Sequence, residues 1–171
     1  MTTFNVRTVK LRSGEQFTDV RHVDLEPLML GGQRYIPLPE SPEAAFTMTQ
    51  VGSGLLFELG FDARLVGPCV RCLADAGVDV SIAAREYQGA TPGESDDLRT
   101  PYLFDDRLDL SAWARDAVAL ALPDQILCRE DCAGICAGCG ADLNREGCTC
   151  GPPEPDERWS KLEILREAQD L

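Results

Sequence analysis

The sequence predicts an α+β fold: a mainly β N-terminal part built on an antiparallel hairpin, then two short helices flanking a cysteine-rich segment. Three observations carry this expectation. Residues 55–66 alternate apolar and polar side chains with period two, and the same alternation resumes over 78–85 after a turn containing Gly67 and Pro68. Further on, the spacing changes to that of a helix face at Leu110, Trp113, Ala117, Val118 and Ala121.

Taken in order, residues 4–9, 17–20 and 34–36 are short strand candidates, separated by turn signals at Ser13-Gly14 and Gly31-Gly32. Pro37, Pro39 and Pro42 interrupt the chain before a further candidate at 46–51. Leu55, Phe57, Leu59, Phe61, Ala63 and Leu65 then alternate with Glu58, Gly60, Asp62 and Arg64, the pattern of a half-buried strand. Val78, Val80, Ile82 and Ala84 repeat it against Asp79, Ser81 and Arg85, so the two runs should pair antiparallel across the turn. Residues 88–100 are polar, acidic and bear Gly and Pro; they bury too little apolar area to offset ordering entropy and read as a mobile loop. Asp109 suits the N-cap of a helix reaching residue 122, with Pro123 as its stop. A last helix should begin near Asp156, with Trp159, Leu162, Leu165 and Ala168 on its apolar stripe. The expected division is a β-rich region over 1–107 and a helical, cysteine-rich region over 108–171, with the cysteine segment at 123–151, packed as one unit.

Composition narrows the function. The 171 residues carry a formal charge of −13, concentrated in residues 86–157, where 16 acidic and 5 basic side chains give −11. Binding RNA tightly means neutralising phosphates with Lys and Arg, and this balance opposes it. Arg7, Lys10, Arg12, Arg21 and Arg34 are scattered cations of the first half, the usual solvated surface. The N-terminal residues show no apolar stretch or cleavage pattern of a secretion signal, and no run approaches a membrane span; the expectation is a cytoplasmic protein without membrane contact.

In that compartment thiols stay reduced, so clustered cysteines read as metal ligands before disulfides. Eight are present: Cys69, Cys72, Cys128, Cys132, Cys136, Cys139, Cys148 and Cys150. Cys69-Val70-Arg71-Cys72 falls at the hairpin turn. Cys136-Ala137-Gly138-Cys139-Gly140 is followed after eight residues by Cys148-Thr149-Cys150. A C-x-x-C turn points two thiolates to one side while backbone N–H groups donate to sulfur, which suits tetrahedral zinc. A glycine after the second cysteine, here Gly140, permits positive φ. Eight ligands divide into two four-coordinate sites. The preferred pairing joins Cys136, Cys139, Cys148 and Cys150 on one ion, and Cys69 and Cys72 with Cys128 and Cys132 on the other. The second of these sets is the less constrained, because the Cys128–Cys132 spacing is looser and allows exchange with Cys148 and Cys150. Iron–sulfur ligation is a further option for the same residues.

Two enzymatic alternatives fit less well. Thiol-redox catalysis needs an exposed, low-pKa thiolate, usually at a helix N-terminus, whereas the first C-x-x-C lies between strands and the second within a cysteine cluster. A zinc deaminase needs a general acid/base Glu two residues beyond a ligand; Pro68-Cys69-Val70-Arg71-Cys72 matches its second half, but His22 is followed by Val23-Asp24. His22 is the only histidine and reads as a surface or packing residue. A complete cysteine set argues for closed structural sites, with no catalytic residue and no small-molecule substrate. Residues 123–155 hold few large apolar side chains, and structural zinc supplies on the order of 10–16 kcal/mol in small peptides, enough to order them.

The most specific pattern is Ile126-Leu127-Cys128, Cys132-Ala133-Gly134-Ile135-Cys136, Cys139-Gly140-Ala141-Asp142-Leu143-Asn144, Cys148-Thr149-Cys150, then Pro155-Asp156-Glu157-Arg158. With Cys69-Val70-Arg71-Cys72-Leu73 after an apolar strand and Leu108-Asp109-Leu110 opening a helix, it resembles the YceD family of large ribosomal RNA subunit accumulation proteins. The resemblance covers residues 50–171, and the family's cysteines fall on all eight here. It implies a role in the synthesis, processing or stability of large-subunit ribosomal RNA, without catalysis. Combined with the acidic charge, it suggests action through a ribosomal or ribosome-assembly protein, with electrostatic attraction aiding encounter.

Overall fold

Strand β6 (Gly54–Pro68) and strand β7 (Asp75–Gln88) form the long hairpin on which the molecule is built, paired antiparallel from Leu55↔Gln88 to Pro68↔Asp75. A computed structural model describes residues 1–90, 98–151 and 158 of the chain. The hairpin is longer at both ends than the alternation alone delimits. Its inward residues are those the period-two pattern selects: Phe57, Leu59, Phe61, Ala63 and Leu65 are buried, as are Val80 and Ile82 opposite them.

The other edge of β6 is shared by two strands in file. β5 (Glu43–Val51) covers its first half, from Val51↔Gly54 to Ala45↔Gly60. β4 (Gln33–Leu38) covers its second half, from Leu38↔Arg64 to Ile36↔Val66. The break between them holds the cis Leu38–Pro39 bond and Pro42. Pro37 does not break the chain as expected; it lies inside β4 opposite Leu65. β3 (Leu28–Leu30) pairs only Gln33–Tyr35, so beyond Tyr35 no neighbour among the described residues needs an N–H from β4 on that side. β2 (Gln16–His22) closes the other end by pairing with β5, giving the order β2-β5-β6-β4-β3 with β7 alongside β6.

A small second sheet, in the order β1-β9-β8, joins the chain's start to the residues before the helix: β1 (Thr3–Asn5), β8 (Leu103–Phe104) and β9 (Arg107–Asp109). The strand expected over 4–9 is therefore shorter. Val6–Thr8 instead form a turn of 3₁₀ helix, because the Asn5 side chain accepts from the Arg7 N–H at 3.0 Å and Thr8 Oγ1 donates to the Asn5 carbonyl at 2.7 Å. These local partners compete with a ladder. Helix α1 (Leu110–Ala121) starts where expected, with Asp109 capping the Ala112 N–H at 3.0 Å, and stops before Pro123. Its buried face is Leu110, Trp113, Ala114 and Val118; Ala121, expected on the stripe, is exposed.

One hydrophobic cluster runs from Phe4 to Ile126. Phe4 bridges the sheets, with its ring 4.9 Å from Phe46 and 5.6 Å from Phe17, while Phe46 stacks on Phe57 at 6.3 Å. Burying such aromatic side chains supplies the largest apolar contribution per residue. Among the described residues, β5 and the central part of β6 alternate buried with less buried positions, the usual arrangement for an antiparallel sheet with one face on the core.

The mobile loop expected over 88–100 has tied flanks: Gly89 N–H donates to the Leu98 carbonyl at 2.7 Å and Thr100 N–H to Gln88 Oε1 at 3.2 Å, while residues 91–97 lie outside the described residues. The helix expected from Asp156, with Trp159, Leu162, Leu165 and Ala168, also lies outside them. Among the described residues α1 is the one α-helix, and no helix is long and apolar enough to cross a membrane.

Candidate metal centres

The turn joining β6 to β7 is shaped around its first cysteine. Cys69 N–H donates to the Ala74 carbonyl at 2.7 Å, and Leu73 N–H donates back to the Cys69 carbonyl at 3.0 Å. Leu73 closes the turn in the left-handed region, with φ +63°. The segment after α1 is brought to this turn by Ile126, which is buried and whose carbonyl accepts the Val70 N–H at 3.1 Å. Cys128 and Cys132 then face Cys69 and Cys72. The Cys69–Cys132 sulfurs are 3.8 Å apart and the Cys72–Cys128 sulfurs 3.6 Å, with all four within 4.8 Å of one another.

The second set repeats the turn. Gly140 N–H donates to the Cys136 carbonyl at 2.8 Å, and Gly140 has φ +76°. A minimal hairpin supports it: Cys136 N–H reaches the Ala141 carbonyl at 2.8 Å, Leu143 N–H reaches the Gly134 carbonyl at 2.9 Å, and Ile135 bridges Asp142. Cys148 and Cys150 complete the set, with sulfurs 3.6 Å apart for Cys139–Cys148 and 3.3 Å for Cys136–Cys148, again all within 4.8 Å.

These spacings fit a single ion. A tetrahedron with bonds of about 2.3 Å has edges of about 3.8 Å, whereas a disulfide requires about 2.05 Å. Backbone donors aim at the sulfurs in the manner that favours thiolates: Arg71 N–H on Cys69 at 3.5 Å, Gly138 N–H on Cys136 at 3.4 Å and Cys150 N–H on Cys148 at 3.2 Å. The two sets differ in setting. Cys69 and Cys132 are buried, while Cys139 and Cys150 are exposed.

Two polar residues join the sets. Asn144, from the loop between Cys139 and Cys148, donates from Nδ2 to the Cys132 sulfur at 3.5 Å and accepts at Oδ1 from the Ala133 N–H at 2.8 Å. Asp142 holds it there, accepting from both Asn144 N–H and Nδ2. Arg71 reaches the other way, donating to the Cys132 carbonyl at 3.0 Å and to Gln125 at 3.2 Å, while its own carbonyl accepts from Ile135 N–H at 3.2 Å. Asn144 and Arg71 stand within the quoted motifs, but neither position was marked by its spacing; an Asx turn of the form Asp-x-Asn was the available signal.

Crowding splits the thiols electrostatically. At Cys69 burial opposes ionisation, but N–H donors from Arg71 and its neighbours outweigh it and lower the thiol to about 6. At Cys136 the Cys139 N–H is the main influence, with the same result of about 6. Cys128 is pushed up to about 12, chiefly by its hydrogen bond with Cys72. At Cys148 the Cys150 N–H favours the thiolate, yet the side chains of Cys136, Cys150 and Cys139 prevail and raise it to about 12. Each set thus pairs a ready thiolate with thiols that need a nearby cation to ionise.

The remaining candidates fall elsewhere. His22 is exposed, sits 3.7 Å from Glu43 and joins neither cysteine set. Arg7 pairs with Asp106 at 2.7 Å and Arg21 with Asp19 at 2.6 Å, which removes two of the five N-terminal cations from any phosphate-binding patch.

Comparison with known proteins adds a family. The model of the large ribosomal RNA subunit accumulation protein YceD matches residues 57–166, a span that takes in all eight cysteines. An uncharacterized protein of Mycobacterium tuberculosis is 34% identical over 125 residues, covering 70% of this chain and 60% of its own. One from Mycobacterium leprae is 32% identical over 108 residues, 58% of this chain and 48% of its own. The large ribosomal RNA subunit accumulation protein YCED homolog 1, chloroplastic, of Arabidopsis thaliana is 40% identical over 60 residues, 35% of this chain and 19% of its own. The chain spans about 60% of the length of the first of these relatives. No solved structure matches. On a family match over 57–166 of 171 residues, the chain belongs to the YceD family of large ribosomal RNA subunit accumulation proteins.

Proposed function

We propose that the protein is a non-enzymatic factor for large-subunit ribosomal RNA accumulation, acting in synthesis, processing or stability as a zinc-stapled interaction module. Cys69, Cys72, Cys128 and Cys132 hold one structural zinc ion; Cys136, Cys139, Cys148 and Cys150 hold the other. The observation that carries this reading is the closure of both sets. Four sulfurs within 4.8 Å of one another can supply the four vertices of one tetrahedral ion, which supports a structural zinc site over one that keeps a position for a reacting water. Zinc then fixes the hairpin turn to the segment after α1, and the work passes to the surface so shaped.

Charge supports a protein partner over direct RNA contact. Two four-thiolate zinc sites change −13 to about −17, since each contributes −2. Such a surface repels phosphate and attracts a basic ribosomal or ribosome-assembly protein. Depleting the protein from growing cells should lower large-subunit relative to small-subunit ribosomal RNA. An unchanged ratio under growth-limiting depletion contradicts the reading.

A further inference from the structure

Among the described residues, strand β7 leaves one edge open. It pairs with β6 alone, and among the described residues no hydrogen bond reaches the backbone of residues 81–86 from any other side. These six consecutive residues, with Tyr102 and the Trp113, Ala117, Leu120 and Ala121 side of α1, line a groove of about 490 Å³. A pocket that touches an unbroken run of a strand lies along its edge, because successive side chains point to opposite faces. The groove therefore offers both unpaired backbone groups and an apolar wall. Trp113 and Tyr102 stack at 6.2 Å at its base, and Leu120 stands 89% exposed on its rim.

We infer that this groove takes an extended, basic polypeptide segment of a partner protein, which adds as a further strand to the β7 edge. Strand addition supplies affinity through main-chain hydrogen bonds and selects for side chains that alternate between wall and solvent. Every second side chain of the segment packs toward Trp113, Ala117 and Leu120. The intervening ones are Lys or Arg, because the groove carries unmatched negative charge. Arg85, the one cation of the lining, is tied to Glu58 at 2.8 Å, while Glu86 has no ion pair among the described residues. Asp116, beside the groove, accepts from the Tyr102 hydroxyl at 3.2 Å and is itself matched by Arg115 at 2.8 Å, so the unmatched charge of the groove is that of Glu86. Tyr102 registers this setting: burial first, then Asp116 and Glu86, push its hydroxyl up to about 12. A second copy of the chain is disfavoured as occupant, since each copy carries −13 and the same Glu86. An RNA strand meets the same repulsion.

This inference rests on the proposed role through a protein partner, and its test is separate from the ribosomal RNA measurement. The probe is a synthetic peptide of alternating valine and lysine with blocked ends, titrated into the full-length, zinc-loaded protein. It should bind and slow amide exchange at alternate positions of 81–86. N-methylation of the peptide amides that face β7 should abolish binding. L120D should weaken it about ten-fold, through lost apolar burial. That substitution separates groove from field, because the added carboxylate strengthens a purely electrostatic encounter. E86K should also weaken binding. The inference is overturned if L120D binds as well as or better than the unaltered protein, or if the N-methylated peptide binds equally. Two further results overturn it by naming another occupant: those amides of 81–86 that face away from β6 already protected in the isolated monomer, or self-association lost in L120D. Lower ribosomal RNA on depletion together with no peptide binding sinks the groove and leaves the proposed role standing.

Discussion

A left-handed residue after the second cysteine closes both C-x-x-C turns, and the chain supplies it by two routes. Gly140 adopts φ +76° at no steric cost, whereas Leu73 adopts φ +63° with a side chain that is 56% exposed. Gly140→Ala should lower the stability of the zinc-loaded protein by about 1–2 kcal/mol, the cost of a left-handed L-residue, in denaturant titrations. Asn144 matters through a different route. It donates to the Cys132 sulfur and secures the Ala133 N–H, so it would tune the proposed metal site from behind its ligands. Asn144→Ala should reduce zinc affinity at the Cys69, Cys72, Cys128 and Cys132 set by about ten- to hundred-fold, read by competition with a calibrated chelator. The grouping of the cysteines into two sets of four was legible because its spacing is written in the chain. Asn144 was not, because a hydrogen bond from one cysteine loop to the other's ligand leaves no periodic trace.

At the scale of elements, pattern length decided what could be read. β6, β7 and α1 run 15, 14 and 12 residues and each repeats its period several times. β1, β3, β8 and β9 have two or three residues, too few for any alternation, and they are set by pairing with distant segments. Pro37 misled for a related reason: its effect depends on whether a neighbour needs its N–H, which only the sheet order reveals. The two cysteine sets also belong to different elements, and this predicts an order of loss. The set holding buried Cys69 and Cys132 is anchored through Ile126 to the core, while the other sits on a minimal hairpin with Cys139 and Cys150 exposed. A chelator should therefore release zinc in two phases. The first should leave the far-ultraviolet strand signal and the Trp113 environment unchanged; the second should alter both. A single concerted release with loss of the sheet would contradict this separation.

For the whole molecule, charge and metal are linked through protons. Cys128 and Cys148 sit at about 12 before a cation arrives, and Cys72 and Cys150 are also raised, so loading zinc at pH 7 must expel at least two protons per ion. Cys69 and Cys136, lowered to about 6, are already ionised at pH 7 and add to the proton release only as pH falls through that value. Depressed thiol values contribute stability that is complete above the ordinary thiol value of 9.0 and is lost as pH falls from there through about 6, so this contribution should decline across that window and be gone below it. Calorimetric titration of zinc in buffers of different ionisation heat checks the proton count. The most direct test of the stapled architecture is native mass spectrometry, with thiol labelling, of protein purified anaerobically and without chelator. Two zinc ions per chain and eight thiols shielded until the metal is removed is the predicted result. A folded, metal-free chain whose eight thiols all react at once would contradict it.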